Sequence, residues 1–221
     1  MAGFDSFIPP RSIIVSCQAE TGTPTDDVGM ITAFAKSAAM GGAAGLRLAG
    51  AEHIKAVRAV SDLPIIGIHK DYRPDALVLI TGDSRYVAPL VSAGAQIVAF
   101  DATRRERPST LTEIVDAIHA AGALALADLR QTDDIDAALS AGADALATTL
   151  SVWDLPDYVP DIAFIEGIAR RWSGPIIAEG NFWSPEDVRR ALDTGAHAVV
   201  IGSAITRPWK ITEYYVRAAK R

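Results

Sequence analysis

Cysteine is almost missing from this chain. Cys17 stands alone among 221 residues, so no internal disulfide can form, and a reducing, cytoplasmic setting fits. Long basic runs are missing too. No basic block exceeds a pair such as Arg104-Arg105, and the net charge is −6, which argues against a nucleic-acid partner. No apolar stretch reaches the ~18 residues needed to cross a bilayer, so no membrane partner is expected. The opening Met-Ala-Gly-Phe-Asp lacks a basic region followed by an apolar one, and no signal peptide is read. His53, His119 and His197 fall in or near helical stretches without ligand spacing, so no metal is argued. A dinucleotide fingerprint is also absent, and no cofactor is expected. With no linker, low-complexity segment or domain boundary, residues 1–221 read as one domain.

What the chain does have is material for a core. It is 49% hydrophobic and 22% charged, which excludes a disordered class, and its length suits an α/β barrel. Eight short apolar runs close at or just before Gln18, Arg47, Lys70, Asp101, Asp128, Thr149, Glu179 and Ser203. Each gap can hold a helix and two short loops, the βα unit, so a (β/α)8 TIM barrel is the leading architecture. A doubly wound open sheet is the alternative. Helix starts are read at Thr112-Glu113, Thr132-Asp133-Asp134 and Ser184-Pro185-Glu186-Asp187. Gly94, Gly142 and Gly195 read as helix C-caps. One extra run, Leu77-Val78-Leu79-Ile80-Thr81, is assigned to the loop after Lys70, because a ninth strand would break the count.

An internal echo supports that count. Leu63-Pro64-Ile65-Ile66-Gly67 resembles Gly174-Pro175-Ile176-Ile177-Ala178, and Ala93-Gly94-Ala95 resembles Thr194-Gly195-Ala196. Both matches are offset by four units, as in two similar half-barrels.

The chemistry concentrates at strand ends. Lys70 and Glu179 each follow a run of the kind buried on both faces in parallel sheets, so each charge belongs at the carboxyl end, where such folds bind ligands. If all strands are parallel, Gln18, Arg47, Lys70, Asp101, Asp128, Thr149 and Glu179 ring one pocket, with two bases against three acids. A lysine whose neighbours shift it toward neutral suits general-base work on a carbon acid. Gly180 and Gly202-Ser203, after the seventh and eighth strands, match the usual barrel phosphate site, with Arg207 near enough to add charge. Alternation sends His69 to the face opposite Lys70. Glu52 and Glu166 read as solvated helix faces. Trp209, Ile211, Tyr214, Tyr215 and Val216 give the last helix more apolar surface than one stripe requires, for closing the barrel or for a dimer contact.

These runs resemble those of the bacterial N-acetylmannosamine-6-phosphate 2-epimerases. The resemblance is carried by Ile14-Val15-Ser16-Cys17-Gln18, Gly45-Leu46-Arg47, Ile68-His69-Lys70, Asp101-Ala102-Thr103-Arg104-Arg105, Ala127-Asp128, Thr148-Thr149-Leu150-Ser151, Ala178-Glu179-Gly180 and Gly202-Ser203-Ala204-Ile205-Thr206-Arg207-Pro208. It runs from about residue 13 to 208, and as a set the matches are highly specific. It implies a barrel of the ribulose-phosphate-binding kind that interconverts N-acetylmannosamine 6-phosphate and N-acetylglucosamine 6-phosphate at carbon 2 without cofactor, in amino-sugar and sialic acid catabolism. It further implies Lys70 as the main acid–base residue, Arg47, Asp128 and Glu179 as its helpers, and Gln18 as a substrate contact. Asp101, Thr149, Gly180, Asn181, Gly202, Ser203 and Arg207 complete the expected substrate-binding set, and a homodimer is expected.

The chain departs from the family's pattern at Val152-Trp153, where Gly-Tyr is usual, at Asn181, where arginine is usual, and at Gly82-Asp83. These changes fall on the rim and bear on sugar and acyl preference. Two other readings stand beside the epimerase: another phosphosugar epimerase, isomerase or lyase on the same barrel, and a barrel that only binds a phosphosugar for regulation.

Overall fold

Side-chain alternation on short apolar strands decides how this chain layers. The computed structural model describes residues 3–72 and 79–220. Its strands are β1 (Ser12–Cys17), β2 (Gly45–Ala49), β3 (Ile65–Ile68), β4 (Lys70–Asp71) and β5 (Leu79–Ile80). They continue with β6 (Ile97–Asp101), β7 (Leu124–Asp128), β8 (Ala145–Ala147), β9 (Ile176–Glu179) and β10 (Ala198–Ile201). Eight of them close a barrel in the order β1-β10-β9-β8-β7-β6-β3-β2, with every neighbouring pair parallel. The (β/α)8 expectation holds, and the open sheet does not.

Even-numbered residues of β1, β3 and β7 point inward. Ile14, Ile66, Ile68, Leu124 and Leu126 fill the barrel with Ile97, Ala99, Ala145, Ala147, Ile177, Ala198 and Val200, and Phe4 and Ile8 join the same cluster. The intervening residues, among them Val15, Leu46, Leu48, Val98, Phe100 and Val199, face the helices in a second apolar layer. Because the side-chain period is two, the inward parity carries past each strand's last apolar residue. It therefore selects Gln18, Arg47, Lys70, Asp101, Asp128, Thr149 and Glu179 for the interior side. His69 takes the other parity and stacks on Tyr86, ring centres 3.5 Å apart.

The helices are α1 (Val28–Met40), α2 (Ala51–Arg58), α3 (Val87–Ser92), α4 (Leu111–Ala120) and α5 (Asp134–Ser140). They end with α6 (Ile162–Ala169), α7 (Pro185–Thr194), α8 (Ser203–Thr206) and α9 (Pro208–Ala219). The cap of α7 is as read: Ser184 accepts from Asp187 N, and Pro185 opens the first turn. The other two starts differ in how they are capped. α4 is capped by Thr110 in a reciprocal box with Glu113, so the start lies earlier than Thr112. α5 opens at the expected place, with Asp133 in the N-cap position and Asp134 and Asp136 in the first turn, but the Asp133 side chain makes no capping bond. The carboxylate of Asp134 turns back to accept from Arg130 N and Gln131 N, both at 3.0 Å. Gly94, Gly142 and Gly195 do take positive φ after their helices.

Arg47 is the main correction to the strand ends. It lies inside β2, with Leu48 and Ala49 still paired to β3 beyond it, rather than closing the strand. Leu79–Ile80 pairs antiparallel with Lys70–Asp71 in a ribbon outside the barrel, so the extra run adds no barrel strand. Its first two residues, Leu77 and Val78, lie outside the described residues. No described helix is long and apolar enough to cross a membrane.

Candidate active site

At the carboxyl ends of the strands, a cavity of about 380 Å³ opens. Of the residues expected there, Gln18, Arg47, Lys70, Thr149, Glu179, Gly180, Asn181, Gly202, Ser203 and Arg207 line it. Asp101 and Asp128 do not. Asp101 points inward but folds onto its own loop, accepting from Thr103 N at 2.9 Å and Thr103 Oγ1 at 2.6 Å and pairing with Arg105. Arg107 approaches the same carboxylate at 3.9 Å. Asp101 is thus an anchor of the 103–107 loop and not a lining residue.

Asp128 sits fully buried behind the cavity, and Arg47 stands between them in the chemistry. Arg47 reaches Asp128 through Nη1–Oδ1 at 3.3 Å and Nη2–Oδ2 at 2.5 Å, bonds Thr149 Oγ1 at 3.0 Å, and pairs with Glu179. Thr149 also donates to Asp128 Oδ1 at 2.6 Å. The side chains of Arg47 and Asp128 are 1% and 0% exposed, against 15% for Glu179, so Glu179 is the acid of this net that reaches the cavity. Thr148, which sequence reasoning passed over, fixes the backbone there: its Oγ1 donates to Glu179 O at 2.9 Å and accepts from Glu179 N at 3.0 Å.

One guanidinium therefore faces two carboxylates in a buried place. Burial alone would lower the Arg47 pKa, but Asp128 and Glu179 overcome that and hold it above the ordinary value. Burial raises both carboxylates, Asp128 and Glu179, against the pull of Arg47. Lys70 moves the opposite way. Burial first, then the positive charges of Arg207 and Arg47, lower it to about 8. The amine is lowered and the carboxyl raised, so the two are brought toward each other on the pH scale in one cavity.

The eighth-strand corner is built around Gly202. Thr206 Oγ1 donates to Ser16 O at 2.9 Å, tying α8 to β1. Gln18 Nε2 donates to Ser16 Oγ at 2.8 Å. Arg207 leans over this corner, bonded to Ser203 Oγ at 3.3 Å and paired with Glu20 at 2.8 Å. Next to this corner, after β8 and β9, Val152 packs over Gly180, and the Trp153 ring centre lies 4.8 and 5.4 Å from the guanidiniums of Arg105 and Arg130. Asn181 adopts φ +56 and turns its amide toward Pro156 O and Val159 O, so it braces that loop.

Sequence reasoning also missed Tyr158, Phe182, Trp183 and Lys210, all of which line the cavity. They come from three separate segments, and only the closed barrel brings them together. Cys17 is buried in the outer layer, its thiol pushed up to about 12 by burial, which leaves it inert. Among the described residues no group of His, Cys, Asp and Glu is placed to hold a metal ion.

An amine and a carboxyl at the strand ends of a closed (β/α)8 barrel, around one polar cavity, define a barrel enzyme site for a small polar molecule. The profile of the NanE family, described as "Putative N-acetylmannosamine-6-phosphate epimerase", matches residues 31–221, and the chain belongs to that family. The bifunctional enzyme NanE/NanK of Brucella melitensis is 40% identical over 205 residues, covering 92% of this chain and 40% of that one. The chain thus spans about two fifths of that longer relative. The solved N-acetylmannosamine-6-phosphate 2-epimerase of Clostridium perfringens superposes with a TM-score of 0.90 at 35% identity, over 96% of this chain and 94% of that one. A tryptophan synthase α-subunit from Pyrococcus furiosus, 15% identical with a TM-score of 0.66 over 90% of this chain and 89% of that one, shares the fold alone.

Proposed function

We propose that this protein interconverts N-acetylmannosamine 6-phosphate and N-acetylglucosamine 6-phosphate by deprotonation and reprotonation at carbon 2, with no cofactor. Membership of the NanE family supports the substrate class. The observation that carries the chemistry is the buried amine of Lys70, held near pKa 8 in a cavity that Glu179 also lines. In the open-chain sugar, carbon 2 lies beside an aldehyde, so losing its proton gives an enolate that can be reprotonated on either face. Lys70 takes the proton in its neutral form. Glu179, raised by burial, is the second proton carrier.

Arg47 places a fixed positive charge beside the developing enolate, Asp128 positions that guanidinium from behind the cavity, and Thr149 bonds it from the cavity wall, where it can also meet substrate. Gly180, Gly202, Ser203 and Arg207 receive the phosphate, and Gln18 contacts the sugar. The whole chain works as one barrel domain in the cytoplasm. It acts as a homodimer joined through α9, which has no fully buried residue and leaves Tyr215 67% exposed. A barrel that only binds a phosphosugar would have no use for an amine and a carboxyl tuned toward neutrality.

Proton NMR of N-acetylmannosamine 6-phosphate incubated with the protein in heavy water tests this reading. Conversion to the carbon-2 epimer with deuterium at carbon 2 is the expected result. No conversion, or conversion that retains the original hydrogen completely in a single turnover, would count against a solvent-exchanging acid–base pair.

A further inference from the structure

The cavity contains a cation that the acid–base set does not use. Lys210 lies in the first turn of α9, three residues after Arg207, and lines the same cavity as Gly202, Ser203, Thr206 and Arg207. Its ammonium pairs with Glu213 Oε2 at 3.1 Å and sits 4.7 Å from the centre of the Trp209 ring. Glu213 does not depend on that contact. Its other oxygen accepts from Arg217 at 2.6 Å, and Arg217 in turn pairs with Asp157 at 2.9 Å. Lys210 can therefore leave Glu213 without stranding a carboxylate. Arg207 is held in a similar way, by Glu20 from the loop after β1. The remaining cations of the cavity have other roles. Arg47 is committed to two buried carboxylates, and Lys70 must spend part of its time neutral.

We propose that Lys210 is a second phosphate-binding cation, which moves from Glu213 onto the substrate phosphate beside Arg207 and sets the preference for phosphorylated over unphosphorylated sugars. The inference rests on the epimerase reading for its substrate and on the cavity lining for its geometry. A lysine suits the role. Its ammonium is a compact charge on a flexible stem, and at 34% side-chain exposure it is free to swing at the rim. A phosphate oxygen at the cavity mouth then replaces one carboxylate contact with another charge-assisted one.

Steady-state kinetics with N-acetylmannosamine 6-phosphate, together with calorimetric titration of inorganic phosphate, test the proposal on Lys210→Ala, Lys210→Arg and the control Lys36→Ala. Lys36 is exposed on α1. In Lys210→Ala, KM and the dissociation constant of phosphate should each rise about tenfold, with kcat within about twofold of wild type. Lys210→Arg should recover most of that loss, and Lys36→Ala should change neither value. A folded Lys210→Ala protein with unchanged KM and unchanged phosphate affinity overturns the proposal, as does a fall in kcat with KM unmoved. Wild-type protein that turns over no phosphosugar would sink the epimerase reading instead. The phosphate titration, which needs no turnover, then still decides Lys210.

Discussion

Arg47 and Asp128 meet through two parallel contacts in the middle of the barrel, and neither side chain is reached by solvent. A guanidinium and a carboxylate match in this fork geometry, which fixes the Arg47 plane and so the charge presented to the cavity. Asp128→Asn would keep the shape and remove the charge. Breaking a buried pair from one side costs about 3–5 kcal/mol, because the partner is left uncompensated. Glu179 still faces Arg47, so the loss in chemical denaturation should fall at or below the lower end of that range. The same variant should lower kcat with little change in KM, since Asp128 does not line the cavity. A variant of wild-type stability and kcat would show that the fork is ornamental.

Lys70→Ala tests the base. Removing a positioned general base costs at least about 10²-fold in rate, while the residues proposed to hold the phosphate, on the eighth-strand side, are untouched. Turnover should therefore vanish against background while calorimetry still detects phosphosugar binding. If the folded variant keeps more than a tenth of wild-type activity, another group removes the carbon-2 proton.

The same lysine fixes the pH profile. Lys70 is lowered to about 8 and acts as base only when neutral, while Glu179 must carry a proton to reprotonate carbon 2, so kcat/KM should follow a bell-shaped profile with a limb near 8 set by Lys70. After burial, Arg207 is the strongest influence lowering it. Arg207→Gln removes that repulsion, stabilises the ammonium and should move that limb to higher pH, whatever it does to the amplitude. A limb that stays in place would mean Arg207 does not act on Lys70.

Much of this arrangement was legible in the sequence because the barrel translates parity into position. Alternation from Ile66 and Ile68 sends Lys70 inward, and alternation from Ile177 does the same for Glu179. Arg47 was placed correctly in the pocket but wrongly at a strand end. The apolar residues on both its sides, Leu46 and Leu48, were the signal that the strand continued. Asp101 shows where parity stops being enough. Its side chain points inward, yet a threonine two residues on offers a local hydrogen bond, and Arg105 and Arg107 complete its neutralisation. The aromatic wall of Tyr158, Phe182 and Trp183 could not be read from spacing. Two separate loops supply it, and a third element, α9, brings Tyr214 to within 5.1 Å of the Trp183 ring centre.

Gly180 ties the rim to the acid. It follows Glu179, holds φ +112, and a Cβ built there would meet Val152 Cγ1 at 2.7 Å and Cγ2 at 2.9 Å. Gly180→Ala is therefore strained twice, by the backbone and by the clash, and the backbone part alone is worth about 1–3 kcal/mol. The clash part should be relieved by Val152→Ala, which opens the space without touching φ. The double variant should accordingly be more stable than Gly180→Ala alone, with a coupling of about 0.5–3 kcal/mol in a double-mutant cycle by chemical denaturation. Since the strain acts on the residue after Glu179, kcat should fall in Gly180→Ala and recover in part in the double variant. Strictly additive stabilities would show that Val152 is not what confines Gly180, and that the wall facing the cavity is set elsewhere.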